Sequence, residues 1–253
     1  MQEPAHRMHP ELQPAVGTSL SQSPASAPVV QPAVRSSPQA EQRIVAAVEA
    51  VAREYGEPYF PRRYVLAKRL LDVVVAVAGL VACAPLFLIL ALLIKLDSPG
   101  PVFFLQERVG YRGRIFRMVK FRTMVPNSAC PPADGVHKRP GDPRVTRIGR
   151  FLRRSSLDEL PQLINVLRGE MSLVGPRPEM VEIVLSRYQP WQYRRFLVPQ
   201  GLTGWWQVTG RSTKVMHEHT GDDLYYIANA SLWFDLEILL RTIPAVLRGH
   251  GAF

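Results

Sequence analysis

The strongest apolar run in the chain is "VVVAVAGLVACAPLFLILALLI", residues 73–94, with 22 positions and no charge. About 20 apolar residues suffice to cross the hydrocarbon of a bilayer. Pro85 lies near the middle, where it removes a helical hydrogen bond and kinks or breaks the helix. Arg62, Arg63, Lys68 and Arg69 flank one end, and Lys95, Arg108, Arg112 and Arg114 the other. Basic flanks prefer the cytoplasmic side. A helix that enters, bends at Pro85 and returns keeps both flanks there; a single kinked transmembrane helix is the competing reading.

Other periodicities predict the remaining elements. Residues 41–56 place Ile44, Val45, Val48 and Val51 roughly on one side of a short helix, followed by a Pro-punctuated link. Residues 97–124 carry aromatic and branched side chains on both sides of "VGYRG", the pattern of a β-hairpin. A polar, Pro-rich loop spans 125–144. Residues 146–154 form an amphipathic helix, with Arg147, Arg150 and Arg154 on one side and Ile148, Phe151 and Leu152 on another. It suits a membrane surface or the protein core equally. Leu232, Leu236, Leu239, Leu240, Ile243 and Leu247 repeat with helical period, and Trp233 and Phe234 give that helix the same two alternatives.

Residues 1–40 are rich in Pro, Ala, Gln and Ser without an apolar core, so they read as a disordered tail and not as a secretory signal. The formal net charge of +10 implies an anionic partner: nucleic acid, a phosphorylated substrate or an acidic membrane surface. Between Arg108 and Arg154 the only acids are Asp134 and Asp142. Cys83 and Cys130 supply neither a disulfide framework nor a metal cluster.

The basic run ends in "RRSSLDELPQL", where Asp158 and Glu159 stand side by side. Ser156-x-x-Glu159 and Ser155-x-x-Asp158 both fit a capping box, so an ordinary helix start accounts for the pair locally. Pro161 is tolerated only in a first turn, which sets the start of the helix near Leu157 or Asp158. Asp158 then lies beside unpaired backbone N–H groups, an environment that binds phosphate and keeps a carboxylate ionised. Neighbouring helical residues point about 100° apart, so the two acids suit separate tasks, one reacting and one holding a metal. Arg177 sits between two prolines in "GPRP", a surface turn or a rigid fork for phosphate oxygens. Trp205 and Trp206 fit stacking on a ligand, interfacial anchoring or core packing. Asp222 and Asp223 suit a cap or an arginine partner, and His217 and His219 read as exposed loop histidines.

The segments "KRLLDVVVAVAGLVACAPLF", "GPVFFLQERVGYRGRIFRMVKFRTM", "DPRVTRIGRFLRRSSLDELPQLINVLRGEMSLVGPRP", "GLTGWWQVTGR" and "DLYYI" follow one another in an order that resembles the bacterial sugar transferases. These are the monotopic phosphoglycosyl transferases, and the resemblance runs from about Arg62 to the C-terminus. It implies an α/β monotopic membrane fold with a re-entrant helix broken at Pro85, a small β-hairpin and surface amphipathic helices. The organisation that follows is a tail (1–40), a short helix and linker (41–61), the re-entrant helix (62–96) and a cytoplasmic catalytic domain (97–253). The family often has Ser-Pro at the break, whereas this chain has Ala84-Pro85, and alanine lacks a hydroxyl to satisfy a freed backbone group.

The resemblance further implies transfer of sugar 1-phosphate from a UDP-sugar to undecaprenyl phosphate, with UMP released at the cytoplasmic face of the bacterial inner membrane. The reaction would run through a covalent phosphosugar-aspartate. Asp158 matches the nucleophile and Glu159 a ligand of Mg²⁺. Lys120, Arg153, Arg177 and Arg211 match basic positions of the site, and Asp223 an acidic one that supports an arginine. "GLTGWWQV" is similar to transferases of glucose- or galactose-type donors. The implied partners are the donor, the lipid acceptor and anionic inner-membrane lipids, with the oligomeric state, homodimer included, left open. Two readings compete: an inactive membrane scaffold for glycan assembly, and a basic nucleic-acid-binding protein, which lacks any recognised binding motif.

Overall fold

The computed structural model describes residues 36–126, 142–210 and 215–247. The body of the predicted tail, the centre of the Pro-rich loop with Cys130, and Arg211 lie outside the described residues. Described residues form a mixed, mostly helical fold with two small sheets.

Helix α1 (Pro38–Tyr55) begins three residues earlier than its apolar periodicity suggests, because Ser37 caps it by accepting from Ala40 N–H. Ile44, Val48 and Val51 are buried as the pattern requires. Helices α2 (Arg62–Ala82) and α3 (Ala84–Asp97) meet at Cys83 with a bend of 60°. Pro85 falls in the first turn of α3, where a missing N–H costs nothing. The bend therefore needs no serine hydroxyl: Cys83 N–H donates to Gly79 O, and Cys83 O accepts from Phe87 N–H. Among the described residues no single helix is long and apolar enough to cross a membrane, but this bent pair is when taken together.

Strands β1 (Phe103–Val109) and β2 (Ile115–Phe121) pair antiparallel in the predicted hairpin. Phe116, Met118 and Lys120 share one face of β2 by strand alternation. The first two enter the main core with Leu163, Val166, Leu173, Tyr226, Phe234 and Ile238. Helix α4 (Arg147–Ser155) leads through a 3₁₀ turn (Leu157–Gln162) into α5 (Leu163–Arg168). Leu152 is buried on α4, whereas Phe151, predicted on the same apolar side, is exposed. Gly149 explains the difference: it is the residue pressed against the neighbouring backbone, so the docked face runs through Gly149 and Leu152.

Three further strands are short. β3 (Ser172–Val174) pairs parallel with β5 (Gly201–Thr203), and β4 (Glu179–Met180) adds to the free side of β1. Helix α6 (Val181–Arg187), a 3₁₀ segment (Pro190–Leu197), α7 (Trp205–Gly210), α8 (Thr220–Asn229) and α9 (Leu232–Leu247) complete the described chain. Trp205 packs against Tyr225 and Phe234 with Arg241 over its ring, and Trp206 is buried, so both tryptophans serve the core. His217 and His219 are half-buried and not exposed as expected, since the turn Met216–Glu218 folds back over Gln192, which donates to His217 O.

The bent pair is fastened to the rest by polar side chains. On α2, Lys68 donates to Val174 O and Asp235, Arg69 to Val166 O and Leu167 O, and Asp72 accepts from Leu173 N–H and Ser172. At the end of α3, Arg122 donates to Ile94 O and Ser98 O, and Asp97 accepts from Ile148 N–H. Both arginines thus satisfy carbonyls that a helix C-terminus leaves open.

Candidate active site

The acidic pair occupies the first turn of the 3₁₀ segment after α4. Its start at Leu157 is where Pro161 places it, but the capping box does not form. Ser156 adopts left-handed backbone (φ 60), not the extended geometry of an N-cap. Ser155 Oγ turns back to donate to Phe151 O at 2.9 Å. The carboxylates of Asp158 and Glu159 are therefore turned to other partners.

Glu159 is gripped by two cations. Arg177 donates to both of its oxygens, at 2.5 Å from Nη2 and 3.2 Å from Nη1, while Lys120 Nζ approaches Oε1 at 3.3 Å. The three side chains are each only 12–13 % exposed. Burial lowers the Lys120 ammonium to about 8, with Glu159 as the main opposing influence. For Arg177, burial also pulls downward, but the charge and hydrogen bonds of Glu159 prevail and hold it above its ordinary value. Asp158 lies within the electrostatic reach of Lys120, Arg177 and Arg153. Arg153, itself lowered by burial, donates from Nε to Thr123 Oγ1 at 2.9 Å.

The stretch 120–123 shows how strand alternation builds this site. Lys120 ends the core-facing row of β2 and reaches Glu159. Phe121, on the opposite face, stacks on Phe103 and meets Phe87 edge-on. Arg122 caps α3, and Thr123 receives Arg153. The open edge of β2 is closed by the buried side chain of Asn165, which accepts from Val119 N–H at 2.9 Å and donates to Arg117 O at 2.8 Å.

The loop 175–178 that carries Arg177 is held by main-chain packing. A Cβ on Gly175 would lie 2.4 Å from Pro199 O, and one on Gly204 2.1 Å from Gly175 O, so the glycines of "GPRP" and "GLTG" let two backbones touch. Three successive carbonyls of this loop each meet a donor from a different element. Pro176 O accepts from Gly201 N–H at 2.8 Å, Arg177 O from Arg195 at 2.6 Å, and Pro178 O from Arg108 at 3.2 Å.

Asp158, Glu159, Lys120, Arg153 and Arg177 thus form one cluster, whereas Asp223 stands behind it. Asp223 lies 2.8 Å from Arg195 Nε, and both side chains are almost fully buried. Arg195 and Arg108 were not foreseen from the sequence. Arg194 and Arg195 are adjacent in an unremarkable basic pair, and only folding buries one and leaves the other half-exposed over the Tyr55 ring. The Glu179 that follows "GPRP" was the available signal for Arg108, its partner at 3.6 Å.

Among the described residues no group of three or more His, Cys, Asp or Glu is arranged to hold a metal. The donor set still fits Mg²⁺, which takes one or two carboxylates and completes its shell from water and substrate phosphates. Both Glu159 oxygens are already engaged by Arg177, and one also by Lys120, so a cation at Glu159 would have to share or displace these partners.

Residues 63–249 match the family model described as bacterial sugar transferase. Over 197 residues the chain is 45% identical to a UDP-N-acetylgalactosamine-undecaprenyl-phosphate N-acetylgalactosaminephosphotransferase of Aeromonas hydrophila, covering 75% of this chain and 45% of that protein. Over 195 residues it is 46% identical to a UDP-glucose:undecaprenyl-phosphate glucose-1-phosphate transferase of Caulobacter vibrioides, covering 74% of this chain and 72% of the relative. The exopolysaccharide production protein ExoY of Sinorhizobium fredii is 40% identical over 201 residues, 74% of this chain and 88% of its own. The chain spans less than half of the first of these relatives and most of the other two.

Proposed function

The chain belongs to the bacterial sugar transferase family, and from that premise we propose that it moves sugar 1-phosphate from a UDP-hexose to undecaprenyl phosphate. UMP is the leaving product, and the step opens the assembly of an exopolysaccharide, capsule or O-antigen. The observation that carries the reading is the acidic pair ringed by Lys120, Arg153 and Arg177. A carboxylate attacks a diphosphate against strong charge repulsion, so it needs fixed cations around it.

In the proposed reaction an Asp158 oxygen attacks the β-phosphorus of the donor. The bond between that phosphorus and the bridging oxygen breaks, its electron pair leaves on UMP, and the sugar phosphate is held on Asp158 as an acyl phosphate. An anionic oxygen of undecaprenyl phosphate then attacks the same phosphorus. The bond to Asp158 breaks, the carboxylate is regenerated, and a lipid diphosphate sugar departs. No proton transfer is required. Two displacements let the soluble donor and the lipid acceptor use the site in turn. Lys120 and Arg153 offset charge on the phosphoryl oxygens, while Arg177 orients Glu159. Mg²⁺, held by Glu159, would supply further charge neutralisation at the diphosphate.

The same reading puts the bent pair α2–α3 into the cytoplasmic leaflet. Leu66, Leu70, Val81, Leu88, Leu92 and Leu96 of that pair are exposed, as are Trp233, Leu240 and Ile243 of α9. Exposed apolar area on this scale needs a covering phase.

The test is UMP release by the membrane-reconstituted protein with undecaprenyl phosphate, Mg²⁺ and a panel of UDP-sugars. Relatives are named for N-acetylgalactosamine, glucose and galactose, so these three head the panel. Release with one sugar, abolished in Asp158→Asn, is the expected result. Full activity in Asp158→Asn would refute the covalent role.

A further inference from the structure

Arg177 is placed from behind. Its flanking prolines have no N–H to donate, so residues 176–178 are held through their carbonyls, and the central one, Arg177 O, belongs to Arg195. Arg195 is 0% exposed; both of its Nη groups donate, and its Nε is in ion-pair contact with Asp223 without hydrogen-bond geometry. Nη2 donates to Arg177 O at 2.6 Å, Nη1 to Tyr188 Oη at 2.7 Å, and Nε faces Asp223 at 2.8 Å. The Phe196 ring lies beneath it at 5.4 Å. A charge buried this deeply is costly unless paired, and Asp223 supplies the pair.

Taking the transferase reading of the site as given, we infer that Arg195, neutralised by Asp223, is a positioning residue that aims the Arg177 guanidinium at Glu159 by holding the Arg177 carbonyl. A fork that grips both oxygens of a carboxylate tolerates little rotation. The main chain at residue 177 sets where that fork points. Arg108 on Pro178 O and Gly201 on Pro176 O fix the neighbouring peptide groups, but only Arg195 reaches the residue whose side chain acts.

The test removes the buried pair as a unit. The double substitution Arg195→Met with Asp223→Leu leaves no uncompensated buried charge and keeps the fold better than either single change. It is made in the native chain and in an Arg177→Ala background, with initial rates of UMP release and melting temperature measured for each. The inference expects kcat/KM for the nucleotide sugar to fall about 10- to 100-fold in the native background, the loss that a misplacement near 1 Å produces. In the Arg177→Ala background the fall should be under about threefold, while the melting temperature shifts equally in both. An equal loss in the two backgrounds, or no loss in the native one, overturns it.

If the native chain released no UMP, the transferase reading would fail on its own account. A crystal structure of the double variant then decides the positioning role: Arg177 displaced from Glu159 supports it, and Arg177 unmoved overturns it. Should the double variant not fold, Arg195→Lys, which keeps the charge beside Asp223 but loses the fork, is read by the same structure.

Discussion

Alanine at position 149 sets two rules against each other. In an exposed helix interior Gly→Ala gains about 1 kcal/mol from backbone entropy and propensity. Here a Cβ would sit 2.0 Å from Thr123 O, 2.7 Å from its carbonyl carbon and 2.9 Å from its Cα, all main-chain atoms. Thr123 O also accepts from Thr146 N–H at 3.1 Å, so this carbonyl is anchored to the start of the same helix. Since contacts under 3.0 Å are essentially never seen for real Cβ atoms, α4 must retreat by at least about 1 Å. Overpacking of that kind costs about 1–3 kcal/mol, and a rigid backbone neighbour puts it at the upper end. The net expectation is a loss of about 2 kcal/mol, or about 4–8 °C in melting temperature for a chain of this size. The retreat also carries Arg153 away from Thr123 and shifts the turn holding Asp158, so UMP release should fall about 100-fold. Thermal unfolding in detergent and initial rates in liposomes read the two effects. A Gly149→Ala variant as stable as the native chain or more so, with undiminished rate, would refute the close-packing argument.

If Lys120 binds the substrate phosphates as proposed, activity and stability should respond oppositely to alkali. Burial lowers its pKa to about 8, so between that value and the unfolded one, about 10.4, the unfolded chain binds more protons and folding stability rises with pH. Over the same window the site loses a cation, and UDP affinity measured by calorimetry should weaken about tenfold per pH unit above 8; Lys120→Arg should remove that break, and its persistence would assign it elsewhere. Asn165→Leu leaves Val119 N–H and Arg117 C=O without the side chain that serves them. At about 1–3 kcal/mol per orphaned group, urea titration should show a loss of about 2–6 kcal/mol, and a loss under about 1 would mean that β2 finds another partner.

Legibility followed the range of the interaction. The hairpin and the buried face of α1 were readable because a period of two or of nearly four residues is local. The 3₁₀ start at Leu157 was readable because Pro161 forbids an earlier one. The capping box was misread because the left-handed backbone at Ser156 depends on how α4 docks. That Phe151 stays exposed while Leu152 is buried was not readable for a related reason: the helix contacts its neighbour through Gly149, and the contact face turns accordingly. Strands β3, β4 and β5 span two or three residues each and leave no periodic trace. The Arg195–Asp223 pair joins residues 28 positions apart in buried space, which no local pattern encodes.

The bent helix pair is not a detachable tether. A fragment beginning after Asp97, cut to obtain a freely soluble enzyme, would lose Leu90 and Ile94 from the cluster shared with Phe121 and Leu152. It would also take Ile94 O from Arg122, and Asp72 from Leu173 N–H on the strand that leads into Gly175. Solubility and an intact reaction centre are therefore not separable by excision in this architecture. Purification has to keep the apolar bent pair, and any trimming belongs on its outward face, at positions such as Leu88, Leu92 and Leu96.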